Sequence, residues 1–335
     1  MSAPAALPVR PLGATGIDLT AIGFGGGPIG GFYGPVDTDV AVLAVRRAFH
    51  LGIRYFDVAP LYGHGRAESI LGHALRDTPR DSFILSTKVG RYLVPAGVAG
   101  TPERQRAEGA PFNPVLDYGR DGVLRSLEQS LHRLGMARID IAYIHDVDEH
   151  SQGSDAEAEA AFGAAMRGAL PALQELKRAG TIRAIGVGLN QPAWALRWIE
   201  EADIDAVMLA GRLTLLNREA EQGVLQACSR RGVAYIAAGA FNGGILARGT
   251  DNDARFNYRP ASAAVNAEYR RLSGIAASHG VSLKAAALQF VLRHPGVCSL
   301  VAGAASATEV DEDIQLAAAP IPDDFWAEAD TGRLP

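Results

Sequence analysis

Eight short apolar runs of strand character recur along this chain, and helical patterns separate them. The runs occupy residues 21–25, 53–57, 83–88, 139–145, 182–187, 206–210, 233–238 and 299–302. Apolar residues at helical spacing mark 40–51, 68–75, 123–134, 169–179 and 283–294. A strand, a helix and then another strand make neighbouring strands parallel, because the chain must cross back before the next strand begins. Eight such units predict a (β/α)8 TIM barrel of the α/β class, and 335 residues suit one barrel domain spanning 1–335. Ahead of the first run, 9–12 and 17–19 flank Gly13-Ala14-Thr15-Gly16, which predicts an N-terminal β-hairpin.

Three connections, 90–120, 146–168 and 240–261, far exceed the usual loop of roughly two to six residues. All three follow strands, so a barrel carries them on its C-terminal face, where catalytic loops gather. Within them, residues 151–163 are acidic and alanine-rich and read as an exposed helical insertion.

A hydrophobic content of 48% is enough for a barrel core. No stretch approaches the ~20 apolar residues of a membrane span, and the N-terminus lacks the basic flank of a secretory leader. Only Cys228 and Cys298 occur, which fits a reducing, cytoplasmic setting rather than a disulfide framework. A net charge of −5 argues against nucleic acid and anionic membranes as partners. The apolar helix faces do not separate an oligomer interface from core, so no oligomeric state is assigned.

Asp57, Lys88 and His145 end the second, third and fourth runs, and Tyr62 follows Asp57 in the next loop. A phenol exchanges protons poorly near neutrality unless its anion is stabilised. An ammonium does that, a carboxylate holds the ammonium, and an imidazole can hydrogen-bond an oxygen beside the phenol. Taken singly, each residue has a structural explanation: a strand-end cap, a packed loop ring, a core histidine, a turn former. Four complementary types on adjacent strand ends form a proton-transfer set.

Gly25-Gly26-Gly27-Pro28-Ile29-Gly30 matches the dinucleotide pattern GxGxxG, with Asp57 where a ribose ligand would stand. Pro28 interrupts it, however, and the helical pattern starts only near Asp39, whereas a Rossmann helix must begin within the glycines. The segment, Gly26 included, reads instead as a strand-one loop touching ligand. His64 and His73 belong to no ligand cluster, and His145-Asp146 lacks a third ligand, so no metal site is assigned. A G-x-S-x-G elbow and a phosphate loop before Ser86-Thr87-Lys88 are both missing, which sets aside hydrolase and kinase chemistry.

On Leu12-Gly13-Ala14-Thr15-Gly16, the stretch from Tyr55 to Gly63, Ser86-Thr87-Lys88 and the strand ending in His145, the chain resembles the aldo-keto reductases over nearly its whole length. That resemblance implies metal-free, NAD(P)-dependent interconversion of carbonyl and alcohol, with Tyr62 as the proton carrier. Tyr143-Ile144-His145-Asp146, Gly186-Val187-Gly188-Leu189-Asn190-Gln191 and Phe241-Asn242-Gly243-Gly244 narrow it to the aldose dehydrogenase branch. The branch implies oxidation of the anomeric carbon of an aldose of the L-fucose, D-threo-aldose or L-galactose type to a lactone. Conversion of pyridoxal to 4-pyridoxolactone is the alternative, as is a non-catalytic, cofactor-binding barrel subunit.

By the same resemblance Asn190 holds the nicotinamide carboxamide, and Gly239, Ala240 and Phe241 run along the pyrophosphate. Gly303, Ala304, Ser306, Glu309 and Asp313 surround the adenosine ribose, while Arg91, Tyr92 and Asp146 lie near a sugar or hemiacetal substrate. Two positions depart from the pattern: Ala210 where a glutamine is common, and Leu213 where a tyrosine is common. Ala305 stands where NADP-preferring members carry arginine, and no Lys or Arg occurs between Arg293 and Arg333. A 2′-phosphate would face Glu309 and Asp313 without a counter-charge, whereas a ribose diol can donate to carboxylates, so NAD is favoured over NADP.

Overall fold

The computed structural model describes residues 7–97, 109–250, 255–257 and 259–331. Its centre is a closed barrel of parallel strands, β1 (Ile22–Gly25), β2 (Tyr55–Asp57), β3 (Ile84–Val89), β4 (Ile141–His145), β5 (Ala184–Leu189), β6 (Ala206–Ala210), β7 (Ala234–Ala238) and β8 (Val297–Gly303). They pair in chain order around the ring, and β8 closes on β1. Outside lie α1 (Thr38–His50), α2 (Arg66–Leu75), α3 (Arg120–Leu134), α4 (Ala169–Arg178), α5 (Pro192–Glu201), α6 (Val224–Arg231), α7 (Leu283–Leu292) and α8 (Ala307–Ala318). The predicted barrel and all eight strands are therefore present, with ends displaced by one or two residues.

Period-two alternation divides the strand residues between two cores. Phe56, Leu85, Ile144, Val187 and Leu209 point outward and pack with the helices. Tyr55, Ile141, Tyr143, Met208, Ile236 and Val301 point inward and fill the barrel. The N-terminal hairpin, Val9–Pro11 paired with Asp18–Thr20, seals the floor by burying Leu12, Ile17 and Leu19 among these inward residues. Arg10 ties it down by donating to the backbone carbonyls of Leu292 and Val297.

Two inward positions are glycines for a steric reason. A Cβ on Gly23 would lie 2.6 Å from the Tyr55 ring, and one on Gly186 would lie 2.4 Å from the Tyr143 ring. The volume those glycines leave open is the volume the two phenols occupy. Below them, two carboxylates, the buried Asp140 and the half-buried Asp205, fix strand register: Asp140 accepts from Leu85 N at 2.9 Å, and Asp205 accepts from Ile185 N at 2.8 Å. Arg80 pairs with Asp140 at 2.5 Å and Lys177 with Asp205 at 2.7 Å.

The long connections hold more structure than their composition suggests. The 90–120 connection contains an antiparallel hairpin, Arg91–Pro95 with Phe112–Leu116. The insertion at 151–163 is helical, as expected, but not a solvated appendage. After the short helix Glu149–Gln152, helix Asp155–Arg167 buries Ala158, Ala161, Phe162 and Ala165, and the Phe162 ring centroid lies 4.8 Å from that of Trp198. Its apolar residues were diluted by alanine and glutamate, and their partners stand on α5, far along the chain. Three further helices, Ile245–Arg248, Ala263–Ser278 and Asp323–Asp330, complete the α-helices among the described residues. No single described helix is long and apolar enough to cross a membrane.

Adding a methyl group at Gly186 should lower stability by about 1–3 kcal/mol, because the Tyr143 ring cannot withdraw. Gly274→Ala in the Ala263–Ser278 helix, where no atom lies within 4 Å of the new Cβ, should raise it by ~0.5–1 kcal/mol. Urea unfolding midpoints of the two variants test the pair of opposite signs; a neutral Gly186→Ala would refute the packing account.

Candidate active site

At the C-terminal end of the barrel, β2 and β3 bring Asp57 and Lys88 together out of contact with water, each 2% exposed. Lys88 Nζ donates to Asp57 Oδ2 at 2.6 Å and Oδ1 at 2.8 Å, and to the Val58 carbonyl at 3.1 Å. Three donors meet three acceptors, so the buried ammonium is satisfied. Ser86, two residues earlier on the same inward face of β3, donates to Asp57 Oδ1 at 2.6 Å.

Tyr62 lies in the loop between β2 and α2, half-buried, with its ring centroid 5.2 Å from Lys88 Nζ. The chain turns sharply after it through Gly63, His64 and Gly65, with φ of 62°, 52° and 92°. A Cβ on Gly63 would fall 2.1 Å from the Gly30 carbonyl oxygen, and one on Gly30 would fall 2.7 Å from the Tyr62 carbonyl carbon. Gly26 N donates to the Asp57 carbonyl at 2.7 Å, and its own Cβ would meet Val58 at 2.6 Å. Gly26 and Gly30, within the GxGxxG match, thus let the strand-one loop pack directly on the Asp57–Tyr62 segment.

His145 ends β4 with its ring edge-on to Tyr62, centroids 6.3 Å apart and planes at 85°. Burial, and then the charges of Lys88 and Arg91, hold its pKa well below the usual histidine value. The imidazole is therefore neutral near pH 7, with a single N–H to give. The quartet is assembled: ammonium below the phenol, neutral imidazole beside it.

Asp146 follows in a left-handed conformation, φ 59°, unusual for a residue with a Cβ. Tyr118 donates to the His145 carbonyl at 2.6 Å, and Gln152 donates to the Asp146 carbonyl at 2.7 Å, which clamps the peptide between them. The Asp146 carboxylate meets Arg91 at 2.9 Å, His145 Nε2 at 3.5 Å and Asn190 Nδ2 at 3.4 Å. Arg91 and Asp146 are thus both joined to the quartet. Tyr92 instead lies against α3, with the Arg125 guanidinium 4.8 Å from its ring centroid.

The residues assigned to cofactor end the strands on the other side of the mouth. Asn190 follows β5, and its carbonyl accepts from Arg212 Nε. Gly239, at φ 67°, Ala240 and Phe241 follow β7, where a Cβ on Gly239 would lie 3.2 Å from Gly211 N. Gly303 ends β8, where a Cβ would meet Pro28 at 3.0 Å, and buried Ala304 follows it. Ser306 caps α8 by accepting from Glu309 N at 3.2 Å, and Glu309 accepts from Ala305 N at 2.6 Å. Asp313 is buried one turn further along, and burial pushes its carboxyl up to about 7.

A model of the aldo/keto reductase family matches residues 21–332. The chain belongs to that family.

Over 327 residues this aldo/keto reductase is 38% identical to a pyridoxal 4-dehydrogenase of Microbacterium luteolum, covering 95% of both chains. It is 34% identical to a D-threo-aldose 1-dehydrogenase of a Pseudomonas species, covering 96% of both. With an L-galactose dehydrogenase of Arabidopsis thaliana the identity is 29%, over 91% of this chain and 86% of the other. Among solved structures, a holo aldo-keto reductase from Bacillus halodurans superposes with a TM-score of 0.74 over 96% of this chain and 95% of its own, at 24% identity. That likeness confirms the barrel.

The family works with a nicotinamide cofactor, and the arc from Asn190 through Gly239 to Ser306 fits one. Its backbone is kept bare by Gly239 and Gly303, and the α8 N-terminus adds a positive dipole end. Asn190 Nδ2 donates to Ser151 Oγ at 3.2 Å, and Gln152 donates to Tyr118 Oη at 3.0 Å. Sequence reading passed over Ser86, Tyr118, Gln152 and Arg212. Only Ser86 carried a signal, its period-two spacing from Lys88; the others act across connections whose folding no local pattern shows.

Replacing Lys88 by Met strands the Asp57 carboxylate and should cost about 3–5 kcal/mol, much of which the double variant Lys88→Met/Asp57→Asn should restore. Denaturant titration of the two variants reads this, and equal losses would refute it. His145 gives a pH test. Its folded pKa lies below the unfolded value of about 6.5, so the unfolded state binds the extra proton and stability falls as pH drops through that value. The loss of stability between roughly pH 7 and pH 5 should be smaller in His145→Gln than in the parent.

Proposed function

We propose that this aldo/keto reductase oxidises the anomeric carbon of a cyclic aldose to a lactone, with NAD as acceptor and Tyr62 as general base. The observation that carries the reading is the Tyr62 ring standing over the buried Lys88–Asp57 pair with a neutral His145 at its edge. A nicotinamide held along Asn190, Gly239 and Ser306 would supply the hydride acceptor. Tyr62, as phenolate, accepts the hydroxyl proton. Lys88 stabilises that phenolate from below, and Asp57 fixes the ammonium in place. His145 donates its N–H to the same hydroxyl oxygen and orients it toward Tyr62.

A sugar-like substrate is supported by the polar rim of Arg91, Asp146 and Asn190 beside His145, and by the similarity to the D-threo-aldose and L-galactose enzymes. Pyridoxal is the second reading, favoured by the similarity to the Microbacterium enzyme. It too closes to a cyclic hemiacetal, so the same four residues serve both. A non-catalytic subunit is disfavoured by the fully assembled quartet.

NAD is supported by charge. Glu309 and Glu312 stand in the first turns of α8, and Lys284 on α7 is already paired with Glu312 at 2.6 Å. A 2′-phosphate would add two negative charges there, so kcat/KM should favour NAD over NADP by about tenfold or more.

NADH formation with a panel of L-fucose, L-galactose, D-arabinose and pyridoxal tests the reading, and no turnover of any of them would sink it. In Tyr62→Phe, kcat should fall by at least ~10³ while NAD binding, followed by quenching of protein fluorescence, persists. Unchanged turnover would remove Tyr62 from the chemistry.

A further inference from the structure

Beneath the ion pair lies a line of hydroxyl groups. Ser86 Oγ is 2.6 Å from Asp57 Oδ1 and 3.2 Å from Tyr55 Oη, and Tyr55 Oη is 3.1 Å from Tyr143 Oη. Ser86, Tyr55 and Tyr143 are each fully buried. An ionised carboxylate accepts only, so the Ser86 proton goes to Asp57. Ser86 Oγ then accepts from Tyr55, and Tyr55 accepts from Tyr143. Burial raises both phenols above their ordinary pKa, so they keep their protons. Three donors therefore align in one direction, Tyr143 to Tyr55 to Ser86 to Asp57, each polarising the next.

The line ends on the group that holds Lys88. Asp57 anchors the ammonium, yet its negative charge opposes the ammonium's effect on the phenol 5.2 Å away. A donor chain that takes up part of that negative charge leaves more of the positive charge effective at Tyr62. We propose that Ser86, backed by Tyr55 and Tyr143, is a positioning residue that sets the proton affinity of Tyr62 through Asp57 and Lys88. The packing is consistent with this use of space. Gly23 and Gly186 give up side chains so that the two rings fit, in a layer of the barrel that apolar residues could otherwise fill.

The proposal rests on Tyr62 as the proton carrier, and its test needs neither substrate nor cofactor. Tyrosinate absorbance is titrated against pH in the whole protein, and the same titration of Tyr62→Phe is subtracted to isolate Tyr62. In Ser86→Ala the Tyr62 midpoint should rise by about half a pH unit or more, a roughly threefold gain in proton affinity. Ser86→Thr, which keeps the hydroxyl, should stay near the parent. Tyr55→Phe, which keeps the ring and removes only the next donor, should move in the same direction by less. An unmoved midpoint in folded Ser86→Ala, or an equal rise in Ser86→Thr, overturns the proposal. Should Ser86→Ala not fold, an unmoved midpoint in Tyr55→Phe overturns it instead. Because no turnover is measured, a wrong substrate assignment would leave this result intact.

Discussion

A lysine ammonium buried with a single carboxylate is the constraint around which this barrel is arranged. Moving two charges out of water costs several kcal/mol each, and their attraction offsets that only where every donor and acceptor is matched. Here the matching is complete on both sides. Lys88 spends its three N–H groups on two Asp57 oxygens and the Val58 carbonyl, and Asp57 takes Ser86 as its further donor. Such a pair contributes little net stability compared with well-packed apolar residues. What the pair does fix is a positive charge 5.2 Å from the centre of a phenol ring, out of contact with water.

Much of the surrounding packing follows from holding that charge in place. The strand-one glycines bring their loop against the Asp57–Tyr62 segment, so the phenol is fixed relative to the strand beneath it. Gly23 and Gly186 admit two tyrosine rings into the barrel interior, whose hydroxyls connect to the carboxylate through Ser86. The Tyr118–Gln152 clamp fixes the backbone after His145, including the left-handed Asp146. Burial together with two nearby cations keeps that imidazole neutral, so it adds no second positive charge beside the pair.

The barrel was legible because its signal is repeated. Eight apolar runs at the spacing of β/α units leave few ways to close a sheet, and Asp57, Lys88 and His145 stand out as polar residues ending apolar strands. The loops were less legible. The 151–163 segment looked solvated because its buried residues are mostly alanine, and Phe162 finds Trp194 and Trp198 only after the chain folds back. The GxGxxG match was rightly separated from a Rossmann helix by Pro28 and the late helix start. Its use in close packing against Tyr62 depends on contacts between strands that adjoin only in the closed barrel.

Side-chain alternation along each strand decides which residues enter the barrel, and that is a local property written in order along the chain. It places Ser86 and Lys88 on the same inward face of β3, and Tyr143 and His145 on that of β4. Which of them meet is decided between strands, by register. Parallel pairing sets Asp57 opposite Ser86 and Lys88 opposite Tyr143, so one carboxylate faces both a hydroxyl and an ammonium from the neighbouring strand. A shift by one residue would turn Lys88 out among the helices and leave Asp57 charged and unpartnered. Closure of the ring prevents that shift, because eight strands must satisfy their hydrogen bonds together and no edge is free to slide.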